Sequence, residues 1–149
     1  MKARLVFKAF LMFVLIGAMT GTAQAGGQQD FGDYVVHYNA LSTDFLSPEV
    51  ARSYNITRSR NRALINISIL KKSLGVGTEP QLAEVNGKGV NLRGQSRVLD
   101  FREVRDGSAI YYLSETGIND GETLDFTINA TPTGGSPLTV RFRQEFFTR

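Results

Sequence analysis

The chain has 149 residues, with 17 Lys and Arg against 14 Asp and Glu, a single His, and neither Cys nor Trp. Without cysteine there is no disulfide framework, no thiolate zinc site and no cysteine-linked lipid anchor, so stability must come from an ordinary apolar core. The basic excess rests entirely on Lys2, Arg4 and Lys8, so the raw pI is no argument for a nucleic-acid partner.

Those three residues open a leader. Met1 to Lys8 is positive, Ala9 to Met19 (AFLMFVLIGAM) is apolar, and Ala23-Gln24-Ala25 supplies small residues around a cleavage point. The apolar run falls short of the ~18 residues that cross a bilayer. The pattern predicts a secretory signal peptide over residues 1–25, cut after Ala25, and a mature periplasmic chain starting at Gly26 without stable membrane insertion. Residues 26–149 carry equal numbers of basic and acidic side chains, which again leaves nucleic acid unexpected. Their length suits one domain with a core of its own.

Gly26 to Asp30 (GGQQD) reads as a mobile lead-in. From Asp33 to Asn39 the period is two, with Tyr34, Val36 and Tyr38 on one face and Val35, His37 and Asn39 on the other. Ser47-Pro48-Glu49 is an N-cap, a proline at the first helical position and a first-turn acid, predicting a short helix through Val50 to Tyr54. Ala63 to Leu70 is a strand covered on both faces. Leu82 to Val85 and Val90 to Leu92 read as short strands joined by a turn at Asn86-Gly87-Lys88-Gly89. Arg97 to Val104 and Ala109 to Glu115 flank Asp106-Gly107, a hairpin signal. Leu124 to Ala130 and Leu138 to Phe142 alternate cleanly around Pro132 and Gly134-Gly135. The sum is about seven strands and one short crossover helix. It predicts an all-β fold, a single antiparallel β-sandwich of immunoglobulin-like type over residues 26–149.

The runs His37-Tyr38-Asn39-Ala40, Pro48-Glu49-Val50-Ala51, Ile56 to Leu64, Asn91 to Gln95, Phe101-Arg102-Glu103 and Ala109 to Tyr112 add a resemblance. Together they are similar to a family of small exported gamma-proteobacterial proteins catalogued as a domain of unknown function. The resemblance covers nearly all of the mature chain. It implies a periplasmic location and one domain, and it implies no activity.

The residues offer little catalytic chemistry. His37 stands alone, with no Cys or second His to complete a metal site, and alternation puts it on the less apolar face of its strand. No G-x-S-x-G elbow is present. The acids are scattered, and Asp120-Gly121-Glu122 after Asn119 lacks the spacing of a calcium loop and reads as a turn. No cofactor and no metal are expected. The unusual feature is Arg52 to Arg62 (RSYNITRSRNR), in which Arg52, Arg58, Arg60 and Arg62 occur without an acid. Extended backbone would point Arg58, Arg60 and Arg62 to one side, and guanidinium forks match carboxylate and phosphate.

One reading of the run is a site for an envelope protein or small anionic ligand, with Tyr54 free to stack, Glu49 reaching Arg52, and His37 as a further contact. The other is structural, with the arginines pairing to Asp100, Glu103 or Glu115. A non-catalytic binding or accessory module is the expectation. A hydrolase using His37 with Ser42 or Ser68 is the alternative.

Overall fold

The computed structural model describes residues 26–75 and 77–149; the expected signal peptide lies outside them. Among the described residues, ten strands form two antiparallel sheets. The first sheet runs in the order β1 (Gly26–Asp30), β2 (Tyr34–Ser42), β3 (Arg62–Ser73), β8 (Ala109–Gly117), β7 (Arg102–Asp106), with β4 (Gly77–Pro80) also pairing β3. The second runs β10 (Leu138–Phe146), β9 (Glu122–Pro132), β5 (Ala83–Asn91), β6 (Ser96–Asp100). This is the expected all-β sandwich, with more strands than the sequence reading counted.

The main core fills the space between the sheets. Val36, Ile65, Ile67 and Ile69 face Leu124, Phe126, Ile128 and Val140, all essentially inaccessible to solvent. Strict period-two alternation in β9 and β10 places one apolar face inward. Tyr38, Phe142 and Phe126 stack in series with ring centroids 4.6 and 4.9 Å apart, which replaces the missing tryptophan as the aromatic centre.

A second, smaller core lies on the other side of the first sheet. Leu41, Leu64, Tyr111 and Leu113 are covered there by Leu46, Val50, Ala51, Tyr54 and Ile56. The cover is a 3-10 turn (Thr43–Phe45) followed by helix α1 (Pro48–Ser53). The helix is only six residues long, too short to persist alone, so its ends are fixed by specific bonds. The Ser47 hydroxyl accepts from Val50 N at 3.2 Å, with Pro48 at the first position, as expected. At the other end Asn55 takes a left-handed φ of 54°. Asn55 N donates to the Arg52 carbonyl and Ile56 N to the Ala51 carbonyl. This is a Schellman closure with asparagine in place of glycine.

Three expectations are corrected. Gly26–Asp30 is not a mobile lead-in but β1, paired in register with Asn39 through Val35. Its side chains bury little, so it has no hydrophobic period; it is held by backbone bonds, by Lys72 on Asp30 at 2.5 Å, and by Gly27, whose missing Cβ leaves room for the Tyr38 ring. Second, Asn86-Gly87-Lys88-Gly89 is no turn: β5 runs straight through it. A Cβ on Gly87 would lie 2.8 Å from the Thr127 carbonyl oxygen and 2.7 Å from Ile128 Cδ1. The glycines mark a close approach between strands, which sequence alone cannot tell from a bend. Third, Arg97 to Val104 is two strands in different sheets, with the chain crossing at Phe101. Leu99 therefore serves the main core and Val104 the second. The expected β7–β8 hairpin is present, with Asp106 ending β7 opposite Ala109 and Gly107 at positive φ.

Candidate functional site

Residues 57–61 between α1 and β3 have almost no ladder of their own, and their backbone groups must be satisfied otherwise. Two side chains do this, Ser42 at the end of β2 and Thr43 at the start of the 3-10 turn. Thr43, wholly buried, accepts from Ser59 N at 2.8 Å and donates to the Thr57 carbonyl at 2.9 Å, with the Ser59 carbonyl at 3.1 Å. Ser42 Oγ lies 3.3 Å from the Arg60 carbonyl and donates to Asp44 Oδ1 at 2.5 Å. Ile118 N donates to the Asn61 carbonyl. The loop is irregular but clamped.

The clamped loop presents the arginines. Arg58 Nη2 donates to the Asp44 carbonyl at 2.9 Å. Arg60 Nε stands 3.9 Å from Asp44 Oδ2, with 69% of its side chain exposed. Arg62 Nε is 3.4 Å from Glu115 Oε2 and half exposed. Phe45, next to Asp44, is 58% exposed. Arg58, Arg60 and Phe45 therefore share one region around Asp44, and Arg62 leans toward β8.

The other candidate residues stand elsewhere. Tyr54 is not free to stack: it is buried in the second core. Its hydroxyl donates to Asp106 Oδ2 at 3.3 Å, and its carbonyl accepts from Arg102. Burial first, then the Asp106 charge, raises the Tyr54 phenol well above its ordinary value and pushes Tyr111 up to about 12; both stay neutral. Arg52 sits in the last turn of α1, and no ion pair among the described residues joins it to Glu49. Glu103 pairs with Arg105 of its own strand instead.

His37 is half-buried on the outer face of the first sheet, between Gln28 and Ser68 in register. Desolvation lowers its pKa, favouring neutral imidazole. It lies roughly 15 Å along β2 from the arginine loop at the strand's rise per residue, so the fold does not bring it to the arginines. Ser68 is its neighbour, whereas Ser42 is committed to Asp44. Among the described residues no group of three or more His, Cys, Asp or Glu is placed to hold a metal ion.

Sequence reasoning missed two organisers. One is the Ser42-Thr43 pair, ordinary residues at a strand end with no local signal. The other is Glu122, in the stretch read as a plain turn. The turn is present, with Gly121 at a φ of 67°. Glu122 itself is a hub: Arg97 Nη2 reaches Oε1 at 2.6 Å, Asn91 Nδ2 reaches it at 3.2 Å, and Asn119 N donates to Oε2 at 2.9 Å. Burial alone would raise its pKa, but these donors outweigh burial and hold it below the ordinary value. Asn91 Oδ1 also accepts from Arg93 N and Gln95 N, and its Nδ2 donates to Gln95 Oε1 at 2.7 Å.

A family model described as DUF4426, a domain of unknown function, matches residues 28–149. A DUF4426 family protein from Pseudomonas aeruginosa has a solved structure that is 36% identical, with a TM-score of 0.71, covering 82% of this chain and 94% of that one. FetP of uropathogenic Escherichia coli strain F11, recombinantly expressed in the periplasm of Escherichia coli, is 13% identical with a TM-score of 0.58, over 84% of this chain and 95% of that one. A copper-bound variant of FetP gives the same identity and TM-score over 83% and 95%. At that identity the likeness is one of fold alone. None of the curated proteins matches the chain.

Proposed function

The chain belongs to the DUF4426 family of domains of unknown function, and we propose that it is a periplasmic, non-catalytic module that binds an acidic protein segment or small anionic ligand through its arginine loop. One observation carries the reading. A buried threonine is spent on holding an irregular, exposed segment that bears Arg58 and Arg60 beside the exposed Phe45 ring. Holding guanidinium groups on fixed backbone lowers the ordering cost of binding, and Arg and aromatic side chains are enriched at protein interfaces. Asp44 and Glu115 offset part of the charge and orient the forks. The leader, if removed as expected, puts the module in the periplasm. The copper bound by the FetP variant is not carried over, because the chain has a single His and no Cys.

The test is the triple variant R58Q/R60Q/R62Q, titrated with a hexaglutamate peptide at low salt. The expected result is at least a tenfold loss of affinity with nearly unchanged melting temperature, because exposed ion pairs contribute only ~0–1 kcal/mol each. A large fall in melting temperature would assign the arginines to structure, and unchanged affinity would end the proposal. A hydrolase with His37 activating Ser68 draws on their adjacency in register. It requires that H37A abolish any esterase activity found.

A further inference from the structure

The residue where the expected leader cut leaves the chain is also the first residue of the sheet. Gly26 opens β1 and pairs with Asn39 of β2. Asn39 Oδ1 is buried and has no hydrogen-bond partner, a condition that costs stability unless something fills it. A Cβ built on Gly26 would stand 3.3 Å from that oxygen and 3.5 Å from Asn39 Cγ. In the precursor, glycine leaves that position to a hydrogen.

We infer that signal-peptide removal creates the missing partner: the new α-ammonium of Gly26 docks on Asn39 Oδ1 and locks β1 onto the sheet. The inference rests on the leader being cut after Ala25. In that step water adds across the Ala25–Gly26 amide. The C–N bond breaks, the water oxygen bonds to the Ala25 carbonyl carbon, and the Gly26 nitrogen gains hydrogen and is protonated at neutral pH. Freed from Ala25, this nitrogen rotates about the Gly26 Cα–C bond by about 120° into the place a Cβ would take, because the N–Cα bond is nearly the length of a Cα–Cβ bond. It then stands about 3.3 Å from Asn39 Oδ1, and a slight turn of the amide brings it within hydrogen-bond range. A charged donor on a buried acceptor is the stronger kind of hydrogen bond. It secures a strand that has poor β-propensity and almost no buried side chain. Sheet completion is thereby tied to maturation.

The full chain, exported with its own leader and purified from the periplasm, is first weighed by intact mass; an N-terminus other than Gly26 removes the premise and with it the inference. The α-amine is then acetylated near pH 6.5, where it reacts ahead of lysine because its pKa is about 7.7–8.0 against about 10.4. Amide exchange over residues 27–30 is compared in the unmodified and acetylated protein, each with and without N39A. Acetylation is expected to speed exchange roughly tenfold, the scale of one charged hydrogen bond, and to have no effect in N39A. Unchanged exchange on acetylation, or the same acceleration in N39A, overturns the inference. N39D serves if N39A does not fold: its carboxylate must slow β1 exchange in the unmodified protein, and faster exchange there counts against the docking.

Discussion

Replacing Thr43 by valine keeps the shape of a fully buried side chain and removes only the hydroxyl. Two bonds go with it, Ser59 N to Oγ1 at 2.8 Å and Oγ1 to the Thr57 carbonyl at 2.9 Å. Each hydrogen bond contributes ~0.5–1.5 kcal/mol net, and a buried group left unpaired costs ~1–3 kcal/mol. The sum for T43V is about 2–3 kcal/mol, discounted because the loop carbonyls have some access to water. At ~2–8 °C per kcal/mol across the size range that brackets this domain, the melting temperature should fall by roughly 10 °C. Urea unfolding measures the free energy directly, and T43S, which keeps the hydroxyl, should lose only about 1 kcal/mol for its methyl group. The Ser59 amide should exchange faster in T43V than in T43S. A T43V protein within about 0.5 kcal/mol of the parent would mean that the clamp does not hold the loop, and the preorganisation argument would fail.

Gly87→Val sets a Cβ 2.8 Å from a backbone carbonyl that cannot step aside; thermal unfolding should show a loss of about 1–3 kcal/mol, the scale of overpacking. Leu64→Ala empties the centre of the second core, where Leu64 has no exposed surface, and urea unfolding should register about 2–5 kcal/mol. Glu122 has a folded pKa below its ordinary value of 4.5, so its stabilising contribution is complete above that pH and is lost as pH falls through the lowered folded value. Urea midpoints of the parent should therefore drop below pH 4.5 more steeply than those of E122Q, and parallel curves would count against the hub.

The sequence made legible whatever side-chain periodicity records. β9 and β10 could be read from Leu124, Phe126, Ile128 and Ala130 against Leu138, Val140 and Phe142, and α1 from Ser47, Pro48 and Glu49. It hid what backbone and context decide. β1 buries too little to print a pattern. Gly87 and Gly89 look like a turn, because the need for no side chain comes from Thr127, Ile128 and Phe126 on another strand. Of the candidate site, the arginine run was visible as composition. Tyr54 was misplaced because an aromatic beside arginines reads equally as a stacking surface or as helix anchor, and only the second core decides. Ser42 and Thr43 carried no signal of their hold on the loop, since the loop carbonyls they reach lie 14 to 18 residues away.

If a rigid loop holds Arg58 and Arg60 ready for an acidic partner, titrating the isotopically labelled protein with hexaglutamate, while following amide and arginine side-chain resonances, should give saturable shifts confined to residues 43–45 and 57–62, with loop order unchanged on binding. Shifts centred instead on Lys88 and Arg141, which flank Thr127 on the open face of the second sheet, or no saturable shift at all, would contradict the proposal.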